Sequence, residues 1–181
     1  MHLYLFPGKT VVKGLLLNGL LAVALVSKLV HADVNPGYES QLAQFGQESA
    51  SEEARQMADW IVHSKDNQHW PFLIVDKKNA KVFVFDPAGK VLGASAALLG
   101  QAIGDDSANG IGQKKLSSIP FAQRTTPAGR FVSSLSTNLS GKSVLWIDYD
   151  AAFSLHRVIT SNAKQQRAQR LASSTVADNR I

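Results

Sequence analysis

Few side chains in this 181-residue chain are equipped for covalent or acid–base chemistry. There is no cysteine, and there are five histidines, so these residues supply no thiolate for nucleophilic attack. His63 and His69 lie six positions apart near the end of a helical pattern, with no third ligand in view, whereas a zinc site needs three or four. No metal or other cofactor is expected. His156 stands in the run 153–158 (FSLHRV), where Ser154 and His156 share one face of a strand and Phe153 and Leu155 the other. A histidine so placed is suited to act as a base toward a nearby nucleophile. A Ser-His-Asp hydrolase oriented by Asp148 or Asp150 is set aside, because no G-x-S-x-G elbow presents a serine. Arg124, Arg130 and Arg157 are candidate anchors for carboxylates, which a guanidinium pairs bidentately. Their blander reading is ordinary surface or core-edge arginine.

The elements that must position these groups are legible in outline. Ser49-Ala50-Ser51-Glu52 matches a capping box, and Ala54, Met57, Ala58 and Ile61 recur behind it at helical spacing. These predict a helix over 52–63. After Pro71 the pattern turns to β: apolar runs at 72–75, 82–85 and 91–92 are separated by Asp76-Lys77-Lys78-Asn79 and Asp86-Pro87-Ala88-Gly89, both turn-forming. This spacing predicts a three-stranded antiparallel meander. Residues 100–118 are rich in Gly, Asp, Ser and Asn and read as a surface loop, with a flap over a site as the functional alternative. Further strands are expected at 130–135, 143–149 and 153–158. A basic, glutamine-rich helix is expected at 164–171.

Three groups of residues, in this order, carry a family resemblance. The first is Ile74-Val75-Asp76-Lys77 with Val82-Phe83-Val84-Phe85-Asp86. The second is Thr126-Pro127-Ala128-Gly129-Arg130-Phe131. The third is Ser154-Leu155-His156-Arg157-Val158, followed by Arg170-Leu171-Ala172-Ser173 and Ala177-Asp178-Asn179-Arg180-Ile181. Together they make residues 71–181 resemble the L,D-transpeptidase (YkuD-type) catalytic domain of bacterial cell-wall enzymes. The resemblance implies an α+β, β-dominated fold: a mixed, largely antiparallel β sandwich with one helix before it and one after. It also implies cysteine acyl transfer between peptidoglycan stem peptides, with a thioester intermediate and His156 as the base partner. In that family a Ser/Thr-x-Gly-Cys segment follows the residues matching Asn179-Arg180-Ile181. This chain stops there, so the nucleophile and the neighbouring oxyanion donors are absent, and acyl transfer is expected to be abolished. The expected domain is incomplete, with an exposed strand edge and a tendency to aggregate. The alternatives are a non-catalytic envelope protein that binds peptidoglycan stems, and an unrelated secreted β-rich domain.

The first 32 residues are organised differently from the rest. Lys9 and Lys13 precede the apolar run 14–26, Lys28 closes it, and Val30-His31-Ala32 follows, with no acidic residue before Asp33. That is the layout of a secretory signal cut after Ala32, and the run is too short to span a bilayer comfortably. Residues 33–70 then form a lead-in linker and the amphipathic helix. Export places the protein in the periplasm or cell envelope, without stable membrane insertion. Removing the leader lowers the net charge from +5 to +2, with 16 basic residues against 14 acidic. The remaining basic residues are scattered, except in 164–170, so no nucleic-acid partner is expected. Sequencing the exported protein from its N-terminus is expected to begin at Asp33; a start at Met1 would refute processing.

Overall fold

The computed structural model describes residues 1–5 and 42–181. The expected apolar run 14–26, the cut after Ala32 and the start of the lead-in lie outside the described residues. In chain order the elements are β1 (His2–Leu5), α1 (Glu52–Ser64), β2 (Phe72–Asp76), β3 (Lys81–Phe85), β4 (Val91–Ala96), β5 (Gly129–Val132), β6 (Ser134–Thr137), β7 (Ser143–Asp148), β8 (Phe153–Leu155) and α2 (Arg167–Ala172). They form a five-stranded sheet in the order β4-β3-β2-β1-β5 and a three-stranded sheet in the order β6-β7-β8. The described residues are therefore α+β and β-dominated, with largely antiparallel sheets and two α-helices. Among the described residues no helix is long and apolar enough to cross a membrane.

The helix forms where periodicity predicts it. Ala54, Ala58 and Ile61 are buried along one stripe, the pattern that drives an amphipathic helix onto a sheet. Its cap, however, is Ser51 rather than Ser49. The Ser51 hydroxyl accepts from the Ala54 amide at 3.2 Å, while the Ser51 amide donates to Asp76 Oδ2 at 2.8 Å. A tertiary bond thus places the cap two residues after Ser49, while the helix itself begins at Glu52 as expected, and Glu53 pairs with Lys78. The helix ends where Lys65 turns into a left-handed conformation, φ 57°.

The meander β2–β3–β4 is antiparallel as predicted. Its second turn is closed by Asp86 Oδ1, which accepts from the Ala88 and Lys90 amides. The strand expected at 130–135 is instead two strands in different sheets. Between them, buried Ser133 donates both its amide and its hydroxyl to the Met1 carbonyl, each at 2.8 Å. The third expected strand stops at Leu155, and α2 begins only at Arg167, after a 3-10 turn at Ala163–Gln165.

The large sheet is covered on both faces. Leu73 and Val75 of β2 pack with Leu3, Leu5, Leu145 and Ile147, which joins the two sheets in one apolar layer. Phe72 and Ile74 point the other way, into Tyr4, Phe45, Phe83, Phe85 and the buried stripe of α1. Strand β1 is the element that sequence reading assigned to the leader. It pairs parallel with β2 and antiparallel with β5, and all four of its residues are buried. A parallel pair requires a long crossover, and the chain between β1 and β2 includes α1.

Asp76, at the end of β2, is 1% exposed and accepts from four donors: the amides of Ser51, Lys78 and Asn79 and the Asn79 side chain. A buried carboxylate so used ties the helix cap to the first turn of the meander. Replacing Asp76 by Ala strands these donors and is expected to cost about 3 kcal/mol in urea unfolding, with Asp76→Asn losing less. A loss below about 1 kcal/mol for the alanine variant would show that the cap and turn do not depend on this carboxylate.

Candidate functional site

Lys77 of the first stretch, the Thr126–Phe131 stretch and the Ala177–Ile181 end of the third are tied together by polar contacts around residues 99–105, whereas Ser154–Val158 is not part of this junction. The β2–β3 turn supplies Lys77, whose side chain is only 2% exposed; its ammonium donates to the Gly104 carbonyl at 2.7 Å and pairs with Asp105 at 2.7 Å. The Asp105 carbonyl in turn accepts from the Ala128 amide at 2.8 Å, so Lys77 and the Thr126–Phe131 stretch share one anchor. Nearby, the Gly100 amide donates to the buried Thr126 hydroxyl at 2.7 Å. Leu99 exchanges backbone bonds with the end of the described chain: its amide donates to Asn179 O at 2.7 Å, and its carbonyl accepts from Ile181 N at 2.9 Å. Arg180 donates to the Gly100 carbonyl at 3.3 Å.

Gly100 is required by this crowding. A Cβ there would stand 2.3 Å from the Arg124 carbonyl oxygen, far inside contact distance. Beside the junction, Gln101, Ala102, Phe121 and Ala122 line an open, mostly apolar depression of about 400 Å³. The loop expected at 100–118 is thus pinned at its start by buried polar contacts, and its middle is exposed and braced by short 3-10 turns.

His156 is exposed, one residue past β8. Its Nδ1 lies 2.7 Å from the Arg157 carbonyl oxygen. A carbonyl only accepts, so Nδ1 carries the proton, and the lone pair of the neutral ring resides on Nε2. That leaves Nε2 as the nitrogen able to take a proton, which is the disposition a base requires.

The three candidate arginines are not gathered around it. Arg157 is exposed, and its guanidinium makes no ion pair among the described residues. Arg124 is half-buried; its Nε donates to Ile119 O at 3.0 Å and its guanidinium lies over the Phe121 ring at 4.8 Å. Arg130 faces away from its neighbour Phe131. Phe131 packs toward Phe153 in the layer between the sheets, whereas the Arg130 guanidinium meets Asp66, in the loop after α1, at 2.6 Å. Arg130 therefore serves the helix-covered face of the large sheet. His63 and His69 are both exposed, and among the described residues no group of three or more His, Cys, Asp and Glu could hold a metal.

Sequence reasoning missed the group that Arg130 joins. Tyr4 Oη donates to Asp66 Oδ2 at 2.5 Å, and the same carboxylate oxygen takes the Arg130 bond. His2 stacks on Tyr4 at 6.5 Å between ring centroids, and its buried Nδ1 has no hydrogen-bond partner among the described residues. Burial raises the Tyr4 hydroxyl above its ordinary value, and the Asp66 bond adds to this. For Asp66, burial pushes upward, but the bonds from Tyr4 and Arg130 and the Arg130 charge outweigh it and hold the carboxyl low. Burial, followed by the Arg130 charge, lowers His2. The only sequence signal was the alternation in His2-Leu3-Tyr4-Leu5, which the basic, apolar context of a leader obscured.

No protein-family model, curated protein or solved structure matches the chain. The functional reading therefore rests on its own residues.

The His2 shift has a measurable consequence. In the unfolded chain His2 takes up a proton near its ordinary value of 6.5, before the folded chain does. Its contribution is thus in place above that value and is lost as pH falls through the lower, folded value. The Asp66 contribution has the same sign and is lost only below its ordinary value of 3.8. In the uncut chain, His2→Gln is expected to flatten the decline in the urea midpoint just below pH 6.5 and to spare the decline at carboxylate pH. Identical slopes in the two proteins would dismiss His2 as a titrating core group.

Proposed function

We propose that this chain is an exported L,D-transpeptidase-like protein of the peptidoglycan cross-linking machinery, located in the periplasm or cell envelope. The observation that carries the reading is the junction at Leu99–Gly100. The segments Thr126–Phe131 and Ala177–Ile181, far apart in sequence, bond to adjacent residues there, and Lys77 of the meander reaches the same loop. Lys77 of the first motif, the second motif and the Ala177–Ile181 end of the third thus meet in one hydrogen-bonded unit, while Ser154–Val158 lies outside it, at the end of β8. The free Nε2 of His156 is consistent with the base role that the resemblance implies. Cross-linking by this route breaks a stem-peptide bond by thiolate attack, and a second stem amine resolves the thioester. These 181 residues contain no cysteine, and among the described residues no hydroxyl bonds to His156. They are therefore inactive as given.

A second reading is favoured by Arg157 alone. Arg130 is engaged by Asp66 and Arg124 by a carbonyl and a ring, which leaves Arg157 as the candidate guanidinium free to meet stem carboxylates. In that reading the chain binds peptidoglycan without acting on it.

The two readings share one experiment. Purified chain incubated with tetrapeptide stems is expected to give no cross-linked or exchanged product above background, and any such product would overturn the assignment of inactivity. Co-sedimentation with purified sacculi tests binding: retention at moderate salt that falls about threefold or more in Arg157→Ala, as a charge-assisted contact predicts, supports the stem-binding reading. Absence of retention in the unaltered chain refutes it.

A further inference from the structure

The strand between β2 and β5 has an unusual position in the chain. All of its neighbours in the large sheet come from residues 72–132, yet it is itself supplied by residues 2–5. It is joined to the rest only from its C-terminal end, through the 36 residues 6–41. Its hold on the sheet is nevertheless complete. Each residue pairs on both sides: His2 lies opposite Phe72 and Val132, Leu3 opposite Leu73 and Phe131, Tyr4 opposite Ile74 and Arg130, and Leu5 opposite Val75 and Gly129. Leu3 and Leu5 enter the layer between the sheets, while Tyr4 enters the α1 side and bonds to Asp66. Strand β5 has no other partner in this sheet. Cutting after Ala32 would break the single covalent tether and leave β1 held by pairing and packing alone.

We infer that the gap between β2 and β5 is a strand-acceptor site. It is filled by His2–Leu5 in the uncut chain. After processing it is open to an extended peptide that runs parallel to β2, with apolar residues at alternate positions and an aromatic hydroxyl between them. This rests on the export reading and is independent of any peptidoglycan substrate. The chemistry of the occupant is read from β1 itself. Backbone bonds to two edges supply affinity for any extended segment, and the alternate pockets supply selectivity. Leu3 and Leu5 are buried among apolar side chains, so an acidic residue at either position would be buried without a partner. The Tyr4 position offers a carboxylate already held by Arg130, which suits a hydroxyl donor.

The test uses the full chain with a specific protease site in place of residues 30–35, folded first and then cut. The probes are a labelled synthetic peptide of residues 1–8 and the same peptide carrying Leu3→Asp and Leu5→Asp. Before cutting, native mass spectrometry and fluorescence anisotropy are expected to show no uptake of either. After cutting, the labelled peptide displaces the cut segment at one per chain, and the doubly acidic peptide binds at least 100-fold more weakly. Loss of the cut segment with no uptake of peptide overturns the inference. So does retention without exchange through a day in excess peptide, or equal uptake of the two peptides. An exported protein that still begins at Met1 would defeat the export reading while leaving the exchange result standing, so the two failures are distinguishable.

Discussion

Phe72 and Ile74 press against α1 while Leu73 and Val75, one residue out of phase, press against β7, so no residue of β2 reaches solvent. A strand buried on both faces must pair along both edges as well, because an unpaired backbone amide or carbonyl in such a place costs as much as a lost hydrogen bond. On one side β3 meets this need through a tight turn. On the other side no neighbour close in sequence is available, and β1 fills the position from far away. The order of the large sheet, the crossover through α1 and the dependence of β5 on β1 all follow from completing β2.

The elements that were legible in the sequence are those whose burial pattern is local. Ala54, Ala58 and Ile61 report a helix lying on a sheet, and Asp86-Pro87-Ala88-Gly89 reports a turn, whatever the rest of the molecule does. What sequence alone could not show was set by partners distant in the chain. The helix cap moved to Ser51 because Asp76 holds its amide. The strand 130–135 broke because Ser133 is occupied by the Met1 carbonyl. Lys77, read as part of a polar turn, is buried because Asp105 and the Gly104 carbonyl receive its charge from a loop 27 and 28 residues away. His2-Leu3-Tyr4-Leu5 has strand alternation, but four residues are too few to outweigh the basic and apolar texture that follows them.

The polar network around Leu99 and Gly100 has a different character from the apolar layers. A buried lysine is tolerated only with its charge paired and its protons bonded, and here one ammonium fixes both the backbone and the side chain of the loop. Breaking such a contact leaves an uncompensated charge, so the arrangement specifies one loop position strongly even where its net contribution to stability is small. The same loop then presents Gly100 to Thr126 and Leu99 to Asn179. Placement of the candidate site thus depends on a few charged and backbone groups, and the apolar core supplies the platform beneath them.

His156 and Arg130 show why sharing a motif set does not place two residues in one site. Both belong to stretches that carry the resemblance, but alternation sends Arg130 to the helix side while its neighbour Phe131 reaches Phe153 between the sheets. Arg130 is consumed there by Asp66 and Tyr4, where its charge stabilises the carboxylate and disfavours protonation of His2. Its role is to lock β5, β1 and the loop after α1 together. His156 has the opposite balance: among the described residues a single backbone bond orients its ring. The Arg157 carbonyl orients the ring through Nδ1, and exposure leaves Nε2 open to solvent.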